Sequence, residues 1–192
     1  MTKLLVGLGN PGEKYEKTRH NIGFMALESF LKENNFTWKK TEKDQRYSLL
    51  NLFGSRFIAL EPLTFMNESG RSVKYIKERF KIESKDILVI HDDLDMPNGR
   101  IKIKVEKSSG GHHGVGDIMQ ALGKKDFINL KIGIDHPQTQ SVVSWVLGRF
   151  SQTQMSEISD AINKSSDIIT DFIEGFNANK LMNKYNGYAK NQ

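Results

Sequence analysis

The residues of this chain that could do chemistry are a few histidines, aspartates and asparagines set beside glycine turns. His20 follows Thr18-Arg19 in a polar loop, and Asp92 opens the run His91-Asp92-Asp93-Leu94-Asp95 directly after an apolar stretch, DILVI. A carboxylate hydrogen-bonded to one imidazole nitrogen fixes the tautomer and supports the imidazolium, leaving the other nitrogen to take a proton from water. Asn10 lies in the glycine turn Gly7 to Gly12, and Asn67 in the run Pro62-Leu63-Thr64-Phe65-Met66-Asn67-Glu68-Ser69-Gly70. A side-chain amide can donate to a developing oxyanion and accept from a water at once. Phe65 and Met66 offer a substrate an apolar wall. In Ser109-Gly110-Gly111-His112-His113-Gly114, glycines entering a helix leave backbone N–H groups free for an anion or a carbonyl oxygen.

Other chemistries fit less well. Gly7, Gly9 and Gly12 satisfy G-x-G-x-x-G, but Pro11 pushes Asn10 away from helical geometry, and the residues after Gly12 (EKYEKT) are too polar for a helix packed on a sheet. Histidines and aspartates invite a metal reading, yet no recognised ligand spacing is present and neighbouring helical histidines diverge. The chain holds no cysteine, which excludes disulfides, thiolate metal sites and a cysteine nucleophile. There is no G-x-S-x-G elbow, so activated water is favoured over an acyl-enzyme.

The elements that must position these groups alternate between strand and helix. Leu4 to Val6 and Asp86 to His91 are short continuous apolar runs, as expected of strands buried on both faces. Asn10 and Asp92 then arrive at the carboxyl edge of the sheet, where open α/β sheets place ligands. Asn21 is placed to cap a helix to about Glu33. Tyr47 to Phe53 and Arg56 to Glu61 read as a hairpin around Gly54-Ser55, and a helix follows from Ser69 to Phe80. Ile101, Ile103 and Val105 alternate with Lys102 and Lys104, predicting a strand with a cationic outer face. A short helix ends near Leu122-Gly123, and Ile128 to Ile134 and Val142 to Leu147 read as further strands. Ser151 and Gln154 form a capping box for a last helix, and the tail after about 176 is expected to fray. The expectation is an α/β, single-domain three-layer sandwich over 1–192, with a twisted, mixed, mostly parallel sheet flanked by helices.

Composition narrows the setting. At 192 residues with 38% hydrophobic content, the chain fills one core. No segment is long and apolar enough for a membrane span, and the N-terminus lacks a signal-peptide pattern, so a soluble cytoplasmic protein is expected. The net charge of +5 is compatible with a polyanionic partner.

Taken together, GLGNPG with Tyr15 and TRHN, PLTFMNESG, DILVIHDDLD, GGHHG, and LKIGIDHP followed by VVSWVLGRF resemble the bacterial-type peptidyl-tRNA hydrolases. The likeness runs from Lys3 to Phe150 and more loosely beyond. It implies a monomeric α/β enzyme, without cofactor or metal, that hydrolyses the ester joining a peptide to the 3′ end of tRNA and recycles peptidyl-tRNA dropped by ribosomes. By the same resemblance His20 is the base and Asp92 its orienting acid, with Asn10 and Asn67 placing the CCA end, the carbonyl and the water. Tyr15, Phe65, Met66, His112 and His113 belong to the substrate cleft, and the helix after His112 resembles a mobile lid. Lys104 and Lys131 fall where the family grips the 5′ phosphate end of the acceptor stem. His113 stands where the family usually has asparagine, and Lys131 where arginine is common. A catalytically weak or silent RNA-binding relative is therefore the alternative reading.

Overall fold

In the computed structural model, which describes residues 1–187, the chain folds as an α/β sandwich around one mixed sheet. Its strands are β1 (Lys3–Gly7), β2 (Lys40–Thr41), β3 (Gln45–Leu52), β4 (Ser55–Pro62), β5 (Ile87–Asp93), β6 (Ile101–Val105) and β7 (Ile128–Gly133). They lie in the order β2-β3-β4-β1-β5-β7-β6. Parallel pairing is confined to the centre, where β4, β1, β5 and β7 run together; β2 and β3 on one edge and β6 on the other pair antiparallel. The sheet is thus mixed, as expected, with four of its seven strands parallel.

The period of two decides which layer each side chain enters. On β1, Leu5 faces the core under α1 (Ile22–Glu33) and α5 (Gln152–Ile173), while Leu4 and Val6 face the core under α2 (Ser69–Arg79) and α3 (His113–Leu122). Burial on both faces explains why the run is continuously apolar. On β6 and β7, Ile101, Ile103, Leu130 and Ile132 join the first core, which leaves Lys102, Lys104 and Lys131 on the other face.

Some local expectations are corrected. Val142 to Leu147 is not a strand: α4 (Val142–Val146) forms there, because Ser141 caps it by accepting a hydrogen bond from the Ser144 N–H at 3.1 Å. Short apolar runs are ambiguous between helix and strand, and the cap decides. Val105 is 36% exposed rather than in the core, since β6 ends there at the sheet edge. Asn21 occupies the N-cap position of α1 but makes no capping bond. The capping box of Ser151 and Gln154 is present on α5.

Beyond 176, where fraying was expected, α6 (Ala178–Tyr185) packs against the core through Leu181 and Tyr185. The Asn186 side chain then pairs with the edge strand as another strand would: Ile103 N–H donates to its Oδ1 at 2.8 Å, and its Nδ2 donates to the Ile103 carbonyl at 2.7 Å. Residues 188–192, also part of that expectation, lie outside the described residues. Each such bond contributes about 0.5–1.5 kcal/mol, and a stranded edge group costs more. We expect Asn186→Ala to lower the unfolding free energy by about 1–3 kcal/mol. Urea denaturation should show a lower midpoint at unchanged slope; an unmoved midpoint would show that the tail contributes nothing.

Candidate active site

The site is built where α1 begins against the strand ends. A Cβ on Gly23 would lie 2.2 Å from the Ile90 carbonyl oxygen and 2.5 Å from the Leu8 nitrogen, so only glycine lets the first turn of α1 touch the backbone there. That contact seats the 3₁₀ turn Arg19–Asn21 over the carboxyl ends of β1 and β5. From the turn, His20 meets Asp92, its Nδ1 lying 2.9 and 3.0 Å from the two carboxylate oxygens.

A second ring reaches the same acid. His112 Nε2 is 2.9 Å from Asp92 Oδ1, while His112 Nδ1 accepts from the Val115 N–H at 3.3 Å. His112 therefore carries its proton on Nε2 and donates it to Asp92. By the same accounting His20 donates through Nδ1, which leaves Nε2 bare. Behind the pair, His91 donates its Nδ1–H to the Asp92 carbonyl at 2.8 Å and packs edge-on to His112.

Electrostatics follow from this arrangement. Asp92 is 3% exposed, and burial alone would favour its neutral form, but the two imidazoles hold it well below the usual carboxylate range. Burial likewise opposes a charged His20, yet the Asp92 charge and hydrogen bond outweigh it and raise the pKa above the ordinary imidazole value. Full burial, reinforced by His112, pushes His91 down to about 4, so it stays neutral and supports the backbone rather than exchanging protons. Because the folded-state pKa of His20 is raised, its protonated form stabilises the fold below the ordinary value, and that contribution is lost as pH rises through the raised one.

The amides arrive by different routes. The Asn10 backbone N–H donates to Asn21 Oδ1 at 2.8 Å, and Asn21 Nδ2 donates to the Asn10 carbonyl at 2.9 Å, tying the glycine turn to the histidine turn. The Met66 N–H donates to Asn10 Oδ1 at 2.9 Å, which orients the carboxamide and reserves its NH₂ end as a donor. Asn67 follows Met66 in a 3₁₀ turn, is exposed, and caps nothing; Asp117 of α3 instead accepts from the Gly70 N–H at the start of α2. A cleft of about 480 Å³ is lined by Asn10, His20, Phe65, Met66, Asn67, Asp92, His112, His113 and Lys131 among others. Gly110 and Gly111, at φ 59° and 84°, turn the chain along its rim in a conformation that favours glycine. The arrangement offers a base, an acid that orients it, amide donors and an apolar wall, the parts needed for hydrolysis of an acyl bond.

A family model described as peptidyl-tRNA hydrolase matches residues 4–192. The peptidyl-tRNA hydrolases of Lactobacillus johnsonii and Lactobacillus gasseri are each 50% identical over 184 residues, 96% of this chain and all of each relative. The chain belongs to the peptidyl-tRNA hydrolase family. The crystal structure of the Acinetobacter baumannii peptidyl-tRNA hydrolase matches the fold with a TM-score of 0.90 at 35% identity, over 97% of this chain and 95% of that one. The α/β fold with its mixed sheet, and membership of a family of hydrolases, are thereby given.

Not every expected peptidyl-tRNA hydrolase residue sits at the cleft. Tyr15 lies in the 3₁₀ turn after Gly12, where its carbonyl accepts from Thr18, and it does not line the cavity. Lys104, on β6, does not itself line the cleft; its ammonium lies 3.2 Å from Glu106. Lys131 does line the cleft, bound by Asp93 and Glu106 at 2.7 Å each. His113 is the first residue of α3, which packs on the second core through Val115, Ile118 and Met119. His20, Asp92 and His112 could hold a metal, their ligand atoms lying within 4.8 Å of one another. Their distances also suit N–H···O bonds, which the tautomer of His112 favours.

Further residues escaped the sequence reading. The Arg19 guanidinium stacks 3.5 Å from the Trp145 ring centroid and donates to the Trp145 carbonyl and to Gln154 Oε1. It thereby fastens α4 beside His20, and Val142, Val143 and Leu147 become cleft wall. Only the position of Arg19 beside His20 hinted at this. Histidine NMR titration should find His20 ionising above its ordinary value, and Asp92→Asn should bring it down; an unmoved midpoint in the variant would show that Asp92 does not hold the ring.

Proposed function

We propose that this chain hydrolyses the ester linking a peptide to tRNA in peptidyl-tRNA released from ribosomes, with His20 as the base. The observation that carries this is the His20–Asp92–His112 arrangement at the floor of the cleft, with a bare Nε2 on His20. His20 Nε2 takes a proton from a water, which attacks the ester carbonyl. Asp92 keeps the ring in the Nδ1–H tautomer and supports the imidazolium that forms. Asn10, with its oxygen occupied by the Met66 N–H, and Asn67 donate to the developing oxyanion and fix the CCA end. The imidazolium returns the proton to the departing ribose oxygen, and no covalent intermediate is needed.

His112 spends its proton on Asp92 and shapes the cleft, while Phe65, Met66 and His113 contact the peptide side. Tyr15 stands behind the Thr18-Arg19 turn and supports it. The enzyme acts as a cytoplasmic monomer without cofactor or metal. Lys104 and Lys131 hold the 5′ phosphate end of the acceptor stem. A neutral His113 supplies one donor and one acceptor where asparagine supplies its amide, so the site keeps the polar contacts that water placement needs.

The direct test is release of deacylated tRNA from N-blocked aminoacyl-tRNA by the purified protein in chelator. Turnover is expected, and His20→Ala should lower kcat by ~10²–10⁴-fold with little change in tRNA affinity. Absence of turnover in the parent would favour an RNA-binding relative, and loss of turnover on chelation a metal site. Turnover should also rise with pH through an inflection above the ordinary histidine value, because the base must be neutral and its pKa is raised. Replacing Lys104 or Lys131 with methionine should weaken tRNA binding and reduce the slope of log K against log salt by about 1; slopes equal to the parent's would remove the phosphate grip from this reading.

A further inference from the structure

The cationic face of β6 and β7 is not free in the protein alone. The antiparallel register sets Lys102 opposite Lys131 and Lys104 opposite Asn129, so the lysines share the face that the helices leave open. Glu106, just past the end of β6, reaches back between two of them. Its Oε1 takes the Lys131 ammonium at 2.7 Å and its Oε2 the Lys104 ammonium at 3.2 Å. Lys131 is bound on its other side by Asp93 Oδ2 at 2.7 Å. The side chains of Glu106 and Lys131 are only 15% and 17% exposed, so these contacts are poorly screened. The two carboxylates and two ammonium groups cancel, and Lys102 alone on this face has no acidic partner among the described residues.

We propose that Glu106 is a resident competitor for the phosphate seat, holding Lys104 and Lys131 until a terminal phosphate displaces it, and so selecting a phosphomonoester over the diesters of the RNA backbone. This rests on the reading that these lysines grip the 5′ end of the substrate. The selectivity follows from charge. A backbone diester carries one negative charge, so exchanging it for the Glu106 carboxylate gains nothing and breaks a sheltered pair. A terminal phosphate carries about −1.5 to −2 with three acceptor oxygens, enough to take both ammonium groups and outweigh the displaced carboxylate. Glu106 thus sets a threshold that weaker anions do not pass, while Lys102 attracts the backbone without choosing.

The test compares binding of one deacylated tRNA bearing either a 5′ phosphate or a 5′ hydroxyl to the full chain, across a salt titration. The parent should prefer the phosphorylated form. Glu106→Gln should tighten both, the hydroxyl form more, by about 3–10-fold, the scale of one partly screened charge, and steepen the salt slope. Glu106→Asp, which keeps the charge, should retain the preference and guards against a glutamine variant that folds poorly. Unchanged or weaker binding by a folded Glu106→Gln, with the phosphate preference intact, would overturn the proposal and leave Glu106 a strut. If Lys104→Met and Lys131→Met leave both affinities unaltered, the grip itself fails, and the competitor with it.

Discussion

A single buried carboxylate holds the cleft end of this molecule together. Asp92 is almost inaccessible to solvent, and an isolated ionised acid there would carry a desolvation penalty of several kcal/mol. It remains an anion because two imidazole N–H groups converge on it from different layers, His20 from the turn before α1 and His112 from the cap of α3. Each ring is in turn fixed by the acid, so the tautomers and the direction of the free His20 nitrogen are set before any substrate arrives. Pre-set donors and acceptors of this kind need no reorganisation during reaction.

That convergence depends on how closely backbone approaches backbone. The contact of Gly23 with Ile90 and Leu8 brings the start of α1 onto the strand ends, and the Asn21 amide locks the glycine turn beside it with a pair of backbone bonds. Arg19 extends the same turn outward through Trp145 and the capping glutamine of α5. The residues flanking His20 in sequence thus tie its ring to the sheet on one side and to the cleft wall on the other. Changes in α4 or at the start of α5 are in mechanical contact with the His20 turn through Arg19.

Charge is organised differently on the neighbouring face. At the cleft floor an acid is sheltered by rings; on β6 and β7 lysines are sheltered by acids, and Glu106 and Asp93 neutralise what the sequence presents as a basic stripe. A net charge of +5 says little about local potential when the cations near the site are already paired. Paired charges largely cancel at a distance, so the potential there is set by the groups that stay unpaired.

Much of the fold and the site was legible in the sequence. Continuous apolar runs marked β1 and β5, the alternation in IKIKV marked β6 and its outer lysines, and the Ser151 and Gln154 spacing marked α5, because each signal is local and periodic. The types of His20, Asp92, Asn10 and Asn67 announced acid–base and amide chemistry before their distances were known. What tertiary structure alone decided were the choices that local signals leave degenerate. VVSWV became a helix because Ser141 caps it and Trp145 finds Arg19; the tail docked because Leu181, Tyr185 and Asn186 found the edge of β6. Asn21 passed from cap to lock, and Glu106, which no local signal singled out, became the partner of two lysines. A sequence states which groups can bond, but their partners lie tens of residues away, and only packing determines which of them come within reach.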